Sequence, residues 1–276
     1  MYKASLIISV YDNTKFLKLV LDSLRLQTEK HFEIIISEDG SNDDMKQFVK
    51  SYPFDNDFQH LTQEDNGWQK NKALNKAIRS AKSEQLIFID GDCVLHQRFI
   101  EMHVRYADDR HILSGKRVKM DKETSLLFEN NFTETMNKIQ KTFLKKLLFG
   151  KGKTVFVEEC LFISPDGFLC FVPKIRQKAK RLVGSNMSFS KKAIYAINGF
   201  DEEFTLPAVG EDTDLAWRFQ AVGYQLKSVR NLAVQYHLHH QEIWSDKSEN
   251  IAQMKRNQDV NKYFCDKGLI KKKLNL

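Results

Sequence analysis

Leu86-Ile87-Phe88-Ile89-Asp90-Gly91-Asp92 is an apolar run that ends in two carboxylates flanking a glycine. Four apolar residues bounded by turn chemistry predict a buried strand, and open α/β sheets bind ligands at their strand ends. Two carboxylates there make a compact hard-oxygen site that can hold a divalent cation, which in turn grips phosphates. The same D-x-D pattern also occurs in solvated turns. Its meaning rests on its flanks.

Working outward, residues 5–10 form a β-rich run, and residues 15–27 carry Phe16, Leu19, Val20 and Leu24 at helical spacing. Residues 32–36 predict the next strand, ending in Ser37-Glu38-Asp39-Gly40-Ser41. Residues 43–52 and 71–81 read as helices, the second leading into the strand at 85–89. This alternation predicts an α/β fold with a parallel sheet covered by helices on both faces. Right-handed crossovers then bring the carboxyl ends of the three strands to one edge, where Asp12, Asp39 and Asp90 converge. Three acids at one edge are costly in a core but fit a polar ligand and a cation.

The whole chain sets wider bounds. Its 276 residues suffice for a full core, and 20 Phe with only four Pro exclude a disordered protein. Cys93, Cys160, Cys170 and Cys265 are scattered without metal-binding spacing, as expected of reduced thiols. Neither a signal peptide nor a membrane-spanning run is read, so the expectation is a cytoplasmic protein, attached at most to the inner face of the cell membrane. The net charge of +7 gathers in residues 138–153 and 174–181 and at Lys271-Lys272-Lys273. Within the first run, Ile139, Phe143, Leu144, Leu147 and Leu148 alternate with Lys141, Lys145 and Lys146. That pattern fits either a solvated surface helix or an amphipathic helix on an anionic membrane. No nucleic-acid-binding motif accompanies the charge.

The second half changes character. Residues 116–181 form a basic insert of irregular pattern. Order returns at Gly184–Phe189, Asn198-Gly199-Phe200-Asp201 and Gly210-Glu211-Asp212-Thr213-Asp214, which enters a helix carrying Leu215, Phe219 and Val222 and ending at Gly223. A strand is expected at 232–236, followed by His237-Leu238-His239-His240. Four regions follow: a first half (1–115), the insert (116–181), a second ordered half (182–245) and a helical basic tail (246–276).

Taken in order, these pieces resemble a family-2 glycosyltransferase of the GT-A fold. Leu6-Ile7-Ile8-Ser9-Val10-Tyr11-Asp12 is similar to that family's first strand, and Glu38-Asp39-Gly40-Ser41 to its Asp-Asp-Gly-Ser signature. Asn66-Gly67-Trp68 through Lys72 and Asn75 resembles the loop and helix before the D-x-D. Gly184–Phe189, Asn198–Asp201 and Gly210–Arg218 resemble a galactosyltransferase-like acceptor region. Val234–His240 resembles the Tyr-His-Leu-x-His ending of a bacterial polysaccharide or lipopolysaccharide branch. The likeness runs from about residue 4 to 240. It departs at Leu74, where an arginine is expected, leaving Lys72 as the cationic contact. It departs again at 205–210, where an aromatic-glycine approach is usual.

The resemblance implies an inverting, metal-dependent transfer of sugar from a nucleoside-diphosphate donor, by default a UDP-sugar, to a saccharide or lipid-linked saccharide acceptor. Asp92 becomes the direct ligand of Mn²⁺ or Mg²⁺, with Asp90 and Gly91 nearer the ribose or the metal's waters. His237, and after it His240, completes the coordination. Asp39 accepts from the base, Tyr11 and Asp12 line the same pocket, and Lys72 and Asn75 contact the donor. Asp212 is the general base and Glu211 orients acceptor or base. One base without a second nucleophilic carboxylate argues for inversion. Trp68 and Trp217 are stacking candidates. Two other readings stand beside this one: a nucleotidyltransferase, which lacks its usual glycine-rich loop here, and a non-catalytic nucleotide-sugar-binding protein of the same fold.

Overall fold

The computed structural model describes residues 1–149, 154–175, 177–241 and 246–270. Lys151, Lys153 and the Lys271–Lys273 run therefore lie outside the described residues, as does part of the expected basic tail. In chain order the elements are β1 (Ala4–Val10), α1 (Thr14–Arg25), β2 (Phe32–Glu38), α2 (Asp43–Ser51), β3 (Phe58–Leu61), α3 (Lys70–Ser80) and β4 (Gln85–Asp90). Then follow β5 (Cys93–Leu95), α4 (Phe99–Tyr106), β6 (His111–Ser114), β7 (Val118–Lys119), α5 (Lys122–Asn130), α6 (Phe132–Phe149) and α7 (Phe171–Ile175). The chain continues with β8 (Met187–Ser190), α8 (Lys191–Ala196), α9 (Asp212–Ala221), β9 (Gln225–Ser228), β10 (Gln235–His237) and α10 (Ser248–Asp259).

A seven-stranded sheet runs β3-β2-β1-β4-β8-β6-β9. Its first four strands are parallel; the alternation predicts β2, β1 and β4 among them, and β3 adds a fourth. β8 enters antiparallel to both β4 and β6, so the sheet as a whole is mixed. Side chains alternate across β1. Leu6 and Ile8 pack with α1, α2 and α4 on one face, while Ile7 packs with α3, α8 and α9 on the other. Helix starts follow local chemistry: Asn13 Oδ1 caps Phe16 N at 2.9 Å, and Asn42 Oδ1 caps Asp44 N at 2.8 Å ahead of two acids in the first turn of α2.

A second sheet, β5-β10-β7, stands beside the first. The insert covers it: Phe128, Ile139 and Phe143 of α5 and α6 pack with Val94, Val118 and Tyr236. The strand expected at 232–236 begins only at Gln235. Asn231 takes the left-handed conformation at φ 60°, and its amide donates to the carbonyls of Glu158 (2.8 Å) and Leu161 (3.0 Å). That turn ties the insert to the sheet instead of extending the strand. β3 went unread in the sequence because it is an edge strand, and its half-exposed residues carry no clear alternation.

No described helix is long and apolar enough to cross a membrane. All four cysteines are free thiols.

Candidate active site

The register of the parallel strands sets the site. Val10 pairs with Glu38 and Ser9 with Asp90, so β1, β2 and β4 end together. Beyond those ends lies a cleft of about 560 Å³ lined by Tyr11, Asp12, Asp39, Trp68, Lys70, Asp90, Gly91, Asp92 and His240, among others. The chain turns sharply at Gly91, whose N–H donates to Ser9 O at 2.8 Å. A Cβ there would stand 2.7 Å from Val10 Cγ1, so only glycine lets the aspartate pair approach β1 this closely.

One end of the cleft is set by Asp39 and Tyr11. Asp39 is nearly buried, and its carboxylate accepts from Gln63 Nε2 (2.7 Å) and Gln69 N (2.9 Å). Burial raises its pKa, and those two hydrogen bonds oppose the rise. Tyr11 is half exposed and donates its hydroxyl to Asp65 Oδ2 at 2.9 Å. The neighbouring Glu38 supports the turn from below, accepting from Asn42 N at 2.7 Å and lying 2.7 Å from His60 Nε2.

The other end is the D-x-D hairpin. β5 and β10 run antiparallel with His237 opposite Cys93, which sets His237 beside Asp92. Asp92 Oδ2 lies 3.3 Å from His237 Nε2 and 3.0 Å from His240 Nε2, and the two ring nitrogens are 3.3 Å apart. One ligand atom from each of the three residues falls within 4.8 Å of the others. Burial opposes ionisation of Asp92, but the histidine hydrogen bonds outweigh it and hold the carboxyl well below the usual range. A carboxylate oxygen with two imidazole nitrogens is a mixed oxygen and nitrogen donor set, which a divalent first-row transition-metal ion accepts more readily than Ca²⁺ does. The residues present therefore fit a divalent cation.

Between β4 and the turn that opens α9 stands Lys70, at the start of α3. Its Nζ is 2.8 Å from Asp90 Oδ1 and 2.8 Å from Glu211 Oε2, and Arg117 lies 3.6 Å from the other Asp90 oxygen. Burial disfavours the Lys70 charge, yet the paired carboxylates of Asp90 and Glu211 overcome it and raise its pKa. Glu211 is pushed up by burial, with Lys70 opposing. Asp212 opens α9, and Gly184 N approaches its Oδ2 at 3.4 Å. Asn71 ties α3 to the segment before α9 by donating to Asp201 O (2.8 Å) and Gly210 O (2.9 Å).

The structure thus brings Asp12, Asp39, Asp90, Gly91, Asp92 and His240 to one cleft, with His237 touching Asp92. It places Lys72 elsewhere: the side chain is exposed and reaches Gln69 Oε1 at 3.2 Å. Asn75 is buried, bonded to Phe200 O (2.8 Å) and Glu202 Oε1 (2.9 Å), and holds the two halves together rather than facing the cleft. Trp68 lines the cleft, whereas Trp217 donates to Asp214 Oδ1 at 3.0 Å on α9. The lysine at the site is Lys70, which sequence reading missed although the helical phase carries the signal. Lys70 shares a stripe with buried Leu74, Ala77 and Ile78, while Lys72 shares one with exposed Lys76 and Arg79.

Comparison with known proteins agrees with this architecture. Residues 5–168 match the family described as glycosyl transferase family 2, and residues 168–241 match the N-terminal domain of galactosyltransferase. The chain is 28% identical over 242 residues to the chondroitin synthase of Escherichia coli, covering 84% of this chain and 34% of that protein. It is 26% identical over 249 residues to the hyaluronan synthase of Pasteurella multocida, covering 84% and 24%. The chain spans only about a quarter to a third of those relatives. Among solved structures, residues 1–349 of Staphylococcus aureus TarS in complex with UDP-GlcNAc superimpose with a TM-score of 0.58 at 16% identity, covering 98% of this chain and 68% of that one. A mannosyltransferase from Pyrobaculum calidifontis in complex with GDP-Man and Mn²⁺ gives 0.54 at 13% identity, covering 95% and 62%. The fold is the GT-A arrangement, and the chain belongs to glycosyl transferase family 2.

Proposed function

We propose that this glycosyltransferase moves a sugar, with inversion, from a UDP-sugar to a saccharide acceptor of a surface polysaccharide, using a divalent cation. The observation that carries the reading is the convergence of Asp92, His237 and His240 at one end of a cleft whose other end holds Asp39. A cation bound by those three residues supplies charge neutralisation for the departing diphosphate. Asp39 holds the base, with Tyr11 and Asp12 beside it, and Asp90 and Gly91 face the ribose side. On the acceptor wall Asp212 removes the proton of the attacking hydroxyl while Glu211, held by Lys70, orients it. Residues 1–115 then supply the donor face and residues 182–245 the acceptor face.

The test is donor turnover in the absence of acceptor. The protein should slowly release UDP from a UDP-sugar with Mn²⁺ or Mg²⁺, and EDTA should stop it. Asp92→Asn should lose both turnover and the thermal stabilisation given by UDP with Mn²⁺. A ligand at ~100 times its Kd stabilises by about 2.7 kcal/mol, so the shift is measurable. Full activity of Asp92→Asn in EDTA would sink the metal assignment.

We also propose a membrane-surface role for α6. Ile139 and Phe143 face the core, while Leu144, Leu147, Leu148 and Phe149 stand exposed beside exposed Lys141 and Lys145. Apolar residues mixed with exposed lysine charge suit an anionic lipid surface, where a lipid-linked acceptor would be presented. Lys146 takes no part. Its Nζ is engaged by Asp121 Oδ2 and Thr124 Oγ1, each at 2.6 Å.

A further inference from the structure

Two consecutive residues other than glycine, Ala208 and Val209, adopt left-handed backbone at φ 66° and 65°. For a β-branched residue such as Val209 that conformation is strongly disfavoured, so it persists only where the surroundings hold it. The pair leads directly into Gly210, Glu211 and Asp212. Gly210 lies closely against Phe204, because a Cβ there would meet Phe204 Cβ at 2.4 Å.

The holder on the upstream side is Asn250 of α10. Its side chain is 2% exposed, and Nδ2 donates to Leu206 O (3.0 Å) and Ala208 O (2.7 Å), with Pro207 O at 3.4 Å. Downstream, Asn71 Nδ2 holds Gly210 O, and Asp214 N donates to Val209 O at 2.9 Å as α9 begins. The strained pair is therefore fixed from both sides, and the chain leaves it at the turn carrying Glu211 and Asp212. α10 lies beyond residue 241, where the matched family regions end.

We infer that Asn250 is a positioning residue of this enzyme: it clamps the strained 206–209 loop so that Glu211 stays against Lys70 and Asp212 against Gly184. The inference rests on the reading of Asp212 as the base. The amide N–H groups of Asn250 do the clamping, because three backbone carbonyls converge on them. An aspartate of the same shape cannot donate in its ionised form, so Asn250→Asp separates donation from packing. Glycine adopts left-handed backbone freely, so Val209→Gly relieves the strain that the clamp opposes.

The experiment compares Asn250→Ala, Asn250→Asp and Asn250→Ala/Val209→Gly with the unmodified chain. Three quantities are read: hydrogen exchange of the 205–214 peptide, UDP affinity with Mn²⁺ by calorimetry, and kcat and KM for Mn²⁺-dependent hydrolysis of UDP-GlcNAc. Both single variants should exchange faster at 205–214 and lose kcat about ten- to a hundredfold, the scale set by small displacements of a reacting group. UDP affinity and KM should hold, and the double variant should recover part of both exchange protection and kcat. Unchanged exchange and kcat in a folded Asn250→Asp protein would overturn the clamp. So would loss of UDP affinity alongside kcat, since that marks a general structural role. If the unmodified chain neither binds UDP nor hydrolyses UDP-GlcNAc, the donor reading fails separately, and exchange at 205–214 alone decides for or against the clamp.

Discussion

Lys70 Nζ and Glu211 Oε2 lie 2.8 Å apart, joining the first turn of α3 to the residue just before α9. The same ammonium holds Asp90 at 2.8 Å, so one cation keeps two carboxylates together where the end of β4 meets the start of α9. Removing it leaves like charges facing each other in a largely desolvated place. Lys70→Met should destabilise the protein by about 2 kcal/mol, below the 3–5 kcal/mol of a fully buried broken pair because these side chains keep some contact with water. Urea unfolding at neutral pH measures this. Lys70→Arg, which keeps the charge, should lose less, and equal losses for Met and Arg would mean that shape rather than charge matters.

Asp212→Asn separates catalysis from binding. The amide keeps shape and can still accept from Gly184 N, but it cannot take a proton. Donor turnover should fall by ~10²–10⁴-fold, the usual contribution of a general base, while UDP affinity changes little. Loss of UDP binding in calorimetry would recast Asp212 as a binding residue.

Acid should destabilise the fold through two buried histidines. Burial, with the nearby Arg98 charge adding to it, pushes His96 down to about 4. His103 is also pushed down to about 4, by burial. His103 Nε2 lies 3.0 Å from Asn186 Oδ1, which only accepts, so the ring is held neutral with its proton on Nε2 while Nδ1 accepts from Ser188 Oγ at 2.8 Å. Both groups bind protons in the unfolded chain near pH 6.5 but not in the fold until about pH 4, so stability is lost as pH falls through that window. A shift of this size is worth about 3 kcal/mol per group. Asp201 works the other way, its pKa pushed up to about 6 by burial, and offsets part of the loss. Tm should therefore drop between about pH 6.5 and pH 4, and His96→Asn should flatten the slope. A Tm that holds steady across the window in the unmodified chain would contradict the buried neutral rings.

Lys141→Glu/Lys145→Glu should abolish sedimentation with anionic vesicles, since each lysine near such a surface contributes ~1 kcal/mol. UDP-sugar hydrolysis in solution should persist, and high salt should mimic the change. Leu148→Ser should weaken sedimentation without removing its salt dependence. If the unmodified chain ignores anionic vesicles at low salt, α6 is a solvated helix.

The sequence by itself determined the parallel core and the acids at its edge. Apolar runs at 5–10, 32–36 and 85–89, separated by helical periods, admit few arrangements, because handedness and burial are local consequences of the chain. From those runs follow the shared ends of β1, β2 and β4 and the cleft holding Asp12, Asp39 and Asp90. Only the tertiary structure decided which lysine enters the site, because Lys70 and Lys72 differ by helical phase, and phase becomes meaningful once Leu74 and Ile78 have a sheet to face. It likewise decided that His237 and His240 both reach Asp92, through a β5–β10 register that pairs residues far apart in sequence. The insert became part of the site's support for the same reason: α5 and α6 bury Phe128 and Phe143 against Tyr236, a neighbour of His237. Non-local pairing of this kind is set by which surfaces are left to bury once the local elements have formed, and no single stretch of chain carries that information.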